Sequence, residues 1–309
     1  MLNKDIHLVF CIDEHYVQHL AVLIKSIECN HQTSAKLNFH VLQQGIPKAK
    51  IDKLRSMPLK GELNLYEINF DAFVGLPIWG HFSESIYSRF LIESIIPQSI
   101  DKIIYLDVDM VNLVDIQELW DLPLNGDLLL RASVDTGSNS PHIKEKFGLV
   151  KYFNSGILLI NLKEWRKRHI SSLCIDFIKA NKREVECPDQ DALNVILKGL
   201  WIELDFSWNF HSGHYVLNPL PKDVIVKIVH FAGIYKPWQY VSLDPFRDKY
   251  FQYLKLTPWH DFKYSDKTFL NIIKRFIFLY VPSKMIFKII PFVHGFRVFF
   301  NKQFRKFIH

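Results

Sequence analysis

Ile103-Ile104-Tyr105-Leu106-Asp107-Val108-Asp109 sets the reading of this 309-residue chain. Four apolar, β-prone residues make a buried strand, and it runs out into two carboxylates one residue apart. In extended chain, residues i and i+2 point to the same side. Asp107 and Asp109 can therefore converge on one hard cation at the strand's exit. Two buried carboxylates without a counter-charge are costly, so a positive partner is expected beside them. Taken alone, D-x-D reads first as a solvated strand end, where Asp is common. The decision rests on the rest of the chain.

Working outward, strand-like and helix-like patterns alternate. His7 to Ile12 is a short apolar strand that leads to Asp13. Residues 16–29 carry Val17, Leu20, Ile24 and Ile27 at helical spacing. Leu37 to Leu42 and Leu63 to Ile68 read as strands, with a helix opened by Pro47 between them. Residues 84–96, with Ile86, Arg89 and Phe90, read as a helix stopped by Pro97. Beyond the opening stretch, Asp127 to Val134 is a strand ending at Asp135, and Phe153 to Leu162 is a strong strand. One long amphipathic helix is expected next, carrying Trp165, Ile170, Leu173, Phe177 and Ile178. Pro188 and the acidic Asp189-Gln190-Asp191 open a further helix, and Trp201 to Leu204 and Val224 to Phe231 are strands. This alternation predicts an α/β fold with a parallel sheet and helices on both faces. Ligands of such sheets sit at the carboxyl ends of strands, where Asp13, Asp107 and Asp109 all lie.

The totals narrow the class. Half of the residues are apolar, so the chain is globular. Cys11, Cys29, Cys174 and Cys187 form no C-x-x-C pair, which fits free thiols in a reducing compartment. Met1-Leu2-Asn3-Lys4-Asp5 runs almost directly into a strand, so no signal peptide is expected. There is no G-x-G-x-x-G and no P-loop. The net charge of +6 is uneven: residues 267–309 hold nine Lys or Arg and no acid. The preceding 266 residues hold 29 basic and 32 acidic side chains, a net −3. A body without a basic face argues against nucleic acid as a partner.

The tail differs in kind. Phe269, Ile272, Ile273, Phe276, Phe287, Phe292 and Phe299 are interleaved with cations, and Pro282 and Pro291 break the segment into short helices. Its apolar runs fall short of the ~20 residues that span a bilayer. A basic, aromatic-rich amphipathic tail predicts attachment to an anionic membrane surface, with helices docked on the body as the other reading. The expected division is a catalytic domain over 1–262 and a membrane-associating tail over 263–309.

His230-Phe231-Ala232-Gly233-Ile234-Tyr235-Lys236-Pro237-Trp238 follows an apolar strand. A histidine there could complete a metal site begun by Asp107 and Asp109. Gly233 permits close backbone approach, and Lys236 adds a positive charge. Metal, glycine and lysine together suit a pyrophosphate.

Asp107-Val108-Asp109, Phe153-Asn154-Ser155-Gly156, Asp189-Gln190-Asp191 and His230-x-x-Gly233-x-x-Lys236-Pro237-Trp238, in this order, resemble the retaining family 8 glycosyltransferases. The match is closest to bacterial lipopolysaccharide and lipooligosaccharide galactosyl- and glucosyltransferases, and covers roughly residues 6–240. The resemblance implies a single GT-A-type nucleotide-sugar domain with a Rossmann-like mixed, mainly parallel sheet. It makes Asp107, Asp109 and His230 the metal ligands, an O,O,N set that suits Mn2+, with Mg2+ as the alternative. UDP-galactose or UDP-glucose would be the donor. Cys11 falls where a backbone group contacts uracil, and Asp13 near the uridine and the acceptor. Val108 falls among the nucleotide contacts, and Arg89 where an arginine meets donor sugar and phosphate. Asn154, Asp189 and Gln190 match residues that hold the hexose, and Gly233 and Lys236 the β-phosphate contacts. Asp189, Gln190 and Lys236 would act in catalysis. His81 and Asp135 fall at the acceptor site.

The implied reaction moves a hexose from UDP to a sugar hydroxyl of a lipid-anchored oligosaccharide, at the cytoplasmic face of the inner membrane. Glu14, His15 and the loop 136–150 depart from the family pattern, which leaves the acceptor and the hexose open. Another glycan or a protein acceptor is the alternative within the family, including a self-glucosylating primer. A nucleotidyltransferase or phosphohydrolase would need further acidic ligands or a phosphate-binding glycine loop, and neither is present.

Overall fold

The computed structural model describes residues 5–77, 84–124, 128–136, 141–211, 224–233 and 235–280. The chain groups into two compact units, Met1–Gly233 with Lys249–Asp261, and Ile234–Asp248 with Phe262–His309.

The first unit carries nine described strands: β1 (Ile6–Ile12), β2 (Leu37–Gln43), β3 (Glu62–Glu67), β4 (Lys102–Leu106), β5 (Met110–Asn112), β6 (Leu130–Ala132), β7 (Ile157–Asn161), β8 (Trp201–Glu203) and β9 (Ile228–His230). Seven of them form one sheet in the order β3-β2-β1-β4-β7-β6-β8. Only β7 runs against its neighbours β4 and β6, so the sheet is mixed and mainly parallel. The continuous apolar runs of β1 and β4 follow from this, since a central strand is covered on both faces. Alternation divides the side chains between two cores. Leu8, Phe10, Ile104 and Leu106 enter one; Val9, Ile103 and Tyr105 enter the other.

Helix α1 (Val17–Asn30) and helix α2 (Lys48–Arg55) are the crossovers that carry β1 to β2 and β2 to β3. The chain then returns to the far side of β1 to lay down β4, with Leu8 opposite Ile104. Strand order therefore reverses between β1 and β4. The crevice at their carboxyl ends is the topological switch point, where open α/β sheets bind ligands.

Several expected elements differ; among the described residues, the strands expected over Asp127–Val134 and Val224–Phe231 are regular only in β6 and β9. Residues 84–96 form a 3-10 helix, Glu84–Leu91, followed by one α-turn, Ile92–Ile95. Three residues per turn stacks Tyr87 over Phe90, both buried, with ring centroids 6.4 Å apart. The strand expected over Phe153–Leu162 is regular only in β7. The Asn154 side chain accepts from the Gly156 N–H, a local bond that competes with the ladder. The single long helix is two, Leu162–Lys167 and Ile170–Ala180, parted by His169 in the left-handed region at φ 52°. Arg166 fixes the first by donating to the carbonyls of Glu93, Ile96 and Ile100.

In the second unit, the helix Phe269–Tyr280 turns its polar side inward. Arg275 donates to the carbonyls of Tyr240 and Ser242 at 2.7 and 2.6 Å, and Asn271 to that of Asp266. Phe278 lies against Tyr235. Phe269, Leu270, Ile272, Ile273, Phe276, Leu279 and Tyr280 are exposed. Pro282, Pro291 and the rest of the tail lie outside the described residues. Among the described residues, no helix is long and apolar enough to cross a membrane.

Candidate active site

The chain bends at Val108, which is buried, and β5 follows at once. β5 pairs antiparallel with β9, with Met110 opposite His230. The Phe231 N–H donates to the Asp109 carbonyl at 2.8 Å, which closes the ribbon beside the carboxylates. His230 Nε2 thereby lies 3.3 Å from Asp109 Oδ1 and 4.0 Å from Asp107 Oδ2. The three side chains offer ligand atoms within 4.8 Å of one another.

The positive partner that two carboxylates require is Arg89. Ile103, Tyr105 and Asp107 share one side of β4, and Arg89 on the 3-10 helix sits over the Tyr105 ring at 4.7 Å. Its Nη2 donates to Asp107 Oδ1 at 3.1 Å, and Tyr105 Oη donates to the same oxygen at 2.8 Å. Arg89 Nη1 donates to the Ser155 carbonyl. Its Nε lies 3.1 Å from Asp189 Oδ2, a contact of charges rather than an aligned hydrogen bond. Burial works against the guanidinium's charge, but Asp189, Tyr105 and Asp107 together keep Arg89 protonated above its ordinary value. Burial pushes the Asp189 carboxyl up; Arg89 pulls it down, and Asp107 pushes it up again. Cys11, at the end of β1, is likewise pushed up to about 12, chiefly by burial, which disfavours its thiolate form.

The helix Pro188–Ile196 presents Asp189 and Gln190 at its first turn; Pro188 and the two acids suit a helix start. Gln190 Oε1 accepts the Ser155 N–H at 2.9 Å, and its Nε2 donates to Asp135 Oδ2 at 2.9 Å. Asp191 points the other way. It accepts from Tyr152 Oη and from the N–H groups of Glu186 and Cys187, so its part in D-Q-D is to fix the helix. Asn194 adds a two-way clamp on the Phe153 backbone.

A divalent cation fits this constellation. Arg89 and Tyr105 take up one oxygen of Asp107 and leave Oδ2 turned toward His230. His230 Nδ1 is 2.8 Å from Asn209 Oδ1, on the side away from the carboxylates. Gly156 packs so closely that a Cβ there would lie 2.6 Å from His230 Cε1 and 2.9 Å from Asp107 Oδ2. Two hard oxygens and one imidazole suit Mn2+ better than Ca2+.

The family model for glycosyl transferase family 8 matches residues 7–242. The chain belongs to this glycosyltransferase family. It is 31% identical over 279 residues to General stress protein A of Bacillus subtilis (strain 168), covering 84% of this chain and 97% of that protein. It is 26% identical over 310 residues to a lipopolysaccharide 1,2-glucosyltransferase of Escherichia coli (strain K12), covering 93% and 89%. Galactosyltransferase LgtC, solved with donor and acceptor sugar analogues, superimposes with a TM-score of 0.74 at 29% identity, over 82% of this chain and 96% of that one. The fold is the α/β architecture of GT-A type.

The site of this family 8 glycosyltransferase gathers most of the residues implied by the sequence. Arg89, Asp107, Asp109, Asp189, Gln190 and His230 are linked by the contacts above, and Asn154 joins them through Asn209, whose amide nitrogen lies 2.8 Å from Asn154 Oδ1. Cys11 and Asp13 end β1 next to them; Asp13 accepts the His15 N–H in a local turn. Asp135 is buried against Gln190 rather than set in an open loop. Gly233 closes the first unit and Lys236 lies on the second. His81 lies outside the described residues. Sequence reading passed over Asn209, Tyr105 and Ser155. Tyr105 shares the Asp107 side of β4, which strand alternation could have shown. Asn209 sits in Phe206–Asn209, a 3-10 turn with no motif of its own.

Proposed function

We propose that the protein is a Mn2+-dependent retaining transferase that moves galactose or glucose from its UDP-sugar to a sugar hydroxyl of a lipopolysaccharide or lipooligosaccharide core. The convergence of Asp107, Asp109 and His230 at the switch point carries this reading. The similarity to lipopolysaccharide and galactosyl transferases supports the donor and acceptor classes. A divalent metal bound by these three residues would supply Lewis-acid stabilisation of charge on the departing UDP. Gly233 gives that phosphate close backbone approach, and Lys236 is its cationic partner. Cys11, Asp13 and Val108 border the nucleotide. Asn154, Asp189 and Arg89 orient the hexose by its hydroxyls, and His81 and Asp135 serve the acceptor.

Retention is assigned to attack from the face that UDP leaves. The Gln190 amide is tied at both ends, its oxygen by Ser155 and its nitrogen by Asp135, and an amide is a poor nucleophile. Asp189 is paired with Arg89. In the same-face route, the leaving phosphate oxygen takes the acceptor's proton, and Gln190 positions the sugar without bonding to it.

Residues 1–262 form the catalytic domain in this reading, and 263–309 attach it to the cytoplasmic face of the inner membrane. The outward apolar face of Phe269–Tyr280 supports insertion among lipid chains. Arg275 is bonded inward to the carbonyls of Tyr240 and Ser242, so headgroup binding falls to the other cations of the segment.

The test is UDP release from a panel of UDP-sugars, with and without Mn2+, with core oligosaccharides as acceptors and the product anomer read by NMR. Turnover of UDP-galactose or UDP-glucose that needs Mn2+ and keeps the donor's anomeric configuration is expected. No binding or turnover with any UDP-sugar overturns the reading.

A further inference from the structure

A chain of amide contacts runs behind His230, and it starts from a group whose role is fixed. The Gly156 backbone N–H can only donate, and it lies 3.0 Å from the terminal atom of Asn154, which is therefore Oδ1. An amide oxygen can only accept. The Asn209 atom 2.8 Å from it is therefore the amide nitrogen, Nδ2. That places Asn209 Oδ1 at the other end, 2.8 Å from His230 Nδ1. This oxygen also only accepts, so Nδ1 carries the proton. One backbone N–H thus decides the tautomer of an imidazole two side chains away. Asn209 and His230 are both buried, which makes the wrong arrangement costly: any flip sets two acceptors or two donors face to face.

We propose that Asn209 is a positioning residue that holds His230 in its Nδ1–H tautomer, so that the Nε2 lone pair faces the Asp107 and Asp109 carboxylates. A ligand imidazole held this way through its other nitrogen keeps both ring orientation and basicity. The same Asn209 amide group donates to Asn154, so one side chain sets two things: the metal-facing nitrogen of His230 and the outward end of Asn154. Gly156 is the anchor, because its N–H fixes Asn154 and its carbonyl accepts the Asp107 N–H at 2.8 Å. Metal ligand, hexose-facing amide and carboxylate turn are thereby fastened to one residue's backbone.

This inference rests on the metal reading above, and the test separates the two. In metal-free protein labelled with 15N-histidine, long-range 1H–15N spectra report the His230 tautomer directly. Nδ1–H is expected, and an Nδ1 that carries no proton overturns the proposal whatever the protein binds. Mn2+ affinity is then measured by electron paramagnetic resonance on the wild type, Asn209→Leu and Asn209→Asp, each checked for a folded melting transition. Asn209→Leu is expected to weaken Mn2+ about 10- to 100-fold, the usual cost of losing such a partner. Asn209→Asp keeps an acceptor for Nδ1–H but loses the donor to Asn154. It is expected to hold Mn2+ within a few-fold of wild type while the KM for the UDP-sugar rises. Unchanged Mn2+ affinity in Asn209→Leu, or equal loss in both variants, overturns the assignment. Should the wild type bind no Mn2+ at all, the metal reading fails and with it the purpose assigned to Asn209.

Discussion

At the scale of single residues, the site is a set of charges that each need the others. Arg89 is buried between Asp107 and Asp189 and meets both carboxylates at 3.1 Å. Removing one carboxylate leaves the guanidinium under-compensated in a low-dielectric setting. Asp189→Asn is expected to lower stability by about 3–5 kcal/mol, read from urea unfolding, and to abolish donor turnover. A stability change below about 1 kcal/mol would show that the Arg89–Asp189 contact does not matter to the fold. Gly156 makes a second, sterically determined prediction. A methyl there meets the His230 ring and the Asp107 oxygen at distances no real Cβ tolerates. Gly156→Ala should weaken Mn2+ binding by about 10-fold or more while the melting transition stays cooperative. Equal Mn2+ affinity would mean that the ring moves aside freely. The F-N-S-G signature was legible in the sequence. Its reason was not, because the clash depends on His230, 74 residues further on in the chain.

At the scale of elements, two segments behave in ways that their sequence only half discloses. β1 and β2 bury a histidine pair: His7 Nδ1 lies 3.1 Å from His40 Nε2, and His40 Nδ1 lies 3.0 Å from Tyr66 Oη. Burial holds both imidazoles below their ordinary value, His40 at about 4, with His7 adding to the effect. The unfolded chain protonates His40 as pH falls through 6.5; the folded protein does not until about 4. The contribution is therefore intact above pH 6.5 and is lost on the way down to about 4. For His40 the loss is about 3 kcal/mol, by 1.36 kcal/mol per pH unit. Urea midpoints between pH 7 and 4.5 should fall more steeply for the wild type than for His40→Gln; parallel slopes would contradict this. The other segment is the helix Phe269–Tyr280. Its composition announced amphipathicity, but not which side faces out. Arg275 and Phe278 turn inward while Phe269, Phe276 and Tyr280 face outward, so substitution on the apolar face should matter most. Phe276→Asp and truncation at residue 265 are both expected to reduce sedimentation with anionic liposomes at least about 10-fold. Unchanged binding in the truncated chain would remove the membrane assignment.

At the scale of the whole molecule, strand–helix alternation was enough to place Asp13, Asp107 and Asp109 at strand exits. It did not disclose that β7 is reversed, because an apolar strand reads the same in either direction. Nor did it disclose that the long helix after β7 breaks at His169, since one left-handed residue leaves hydrophobic spacing almost intact. Strand order is what converts the motifs into a site. With β4 on the opposite side of β1 from β2, the exits of β1 and β4 face one crevice, and the β5–β9 ribbon brings His230 to it. The central claim is that Asp107, Asp109 and His230 hold a divalent cation against the diphosphate of a UDP-sugar. Calorimetric titration of UDP into the wild-type protein, with Mn2+ and then with a chelator, tests it most directly, with Asp107→Asn as the matched control. UDP binding that requires Mn2+ and is lost in Asp107→Asn is the expected result. Equal UDP affinity with and without Mn2+ would contradict it.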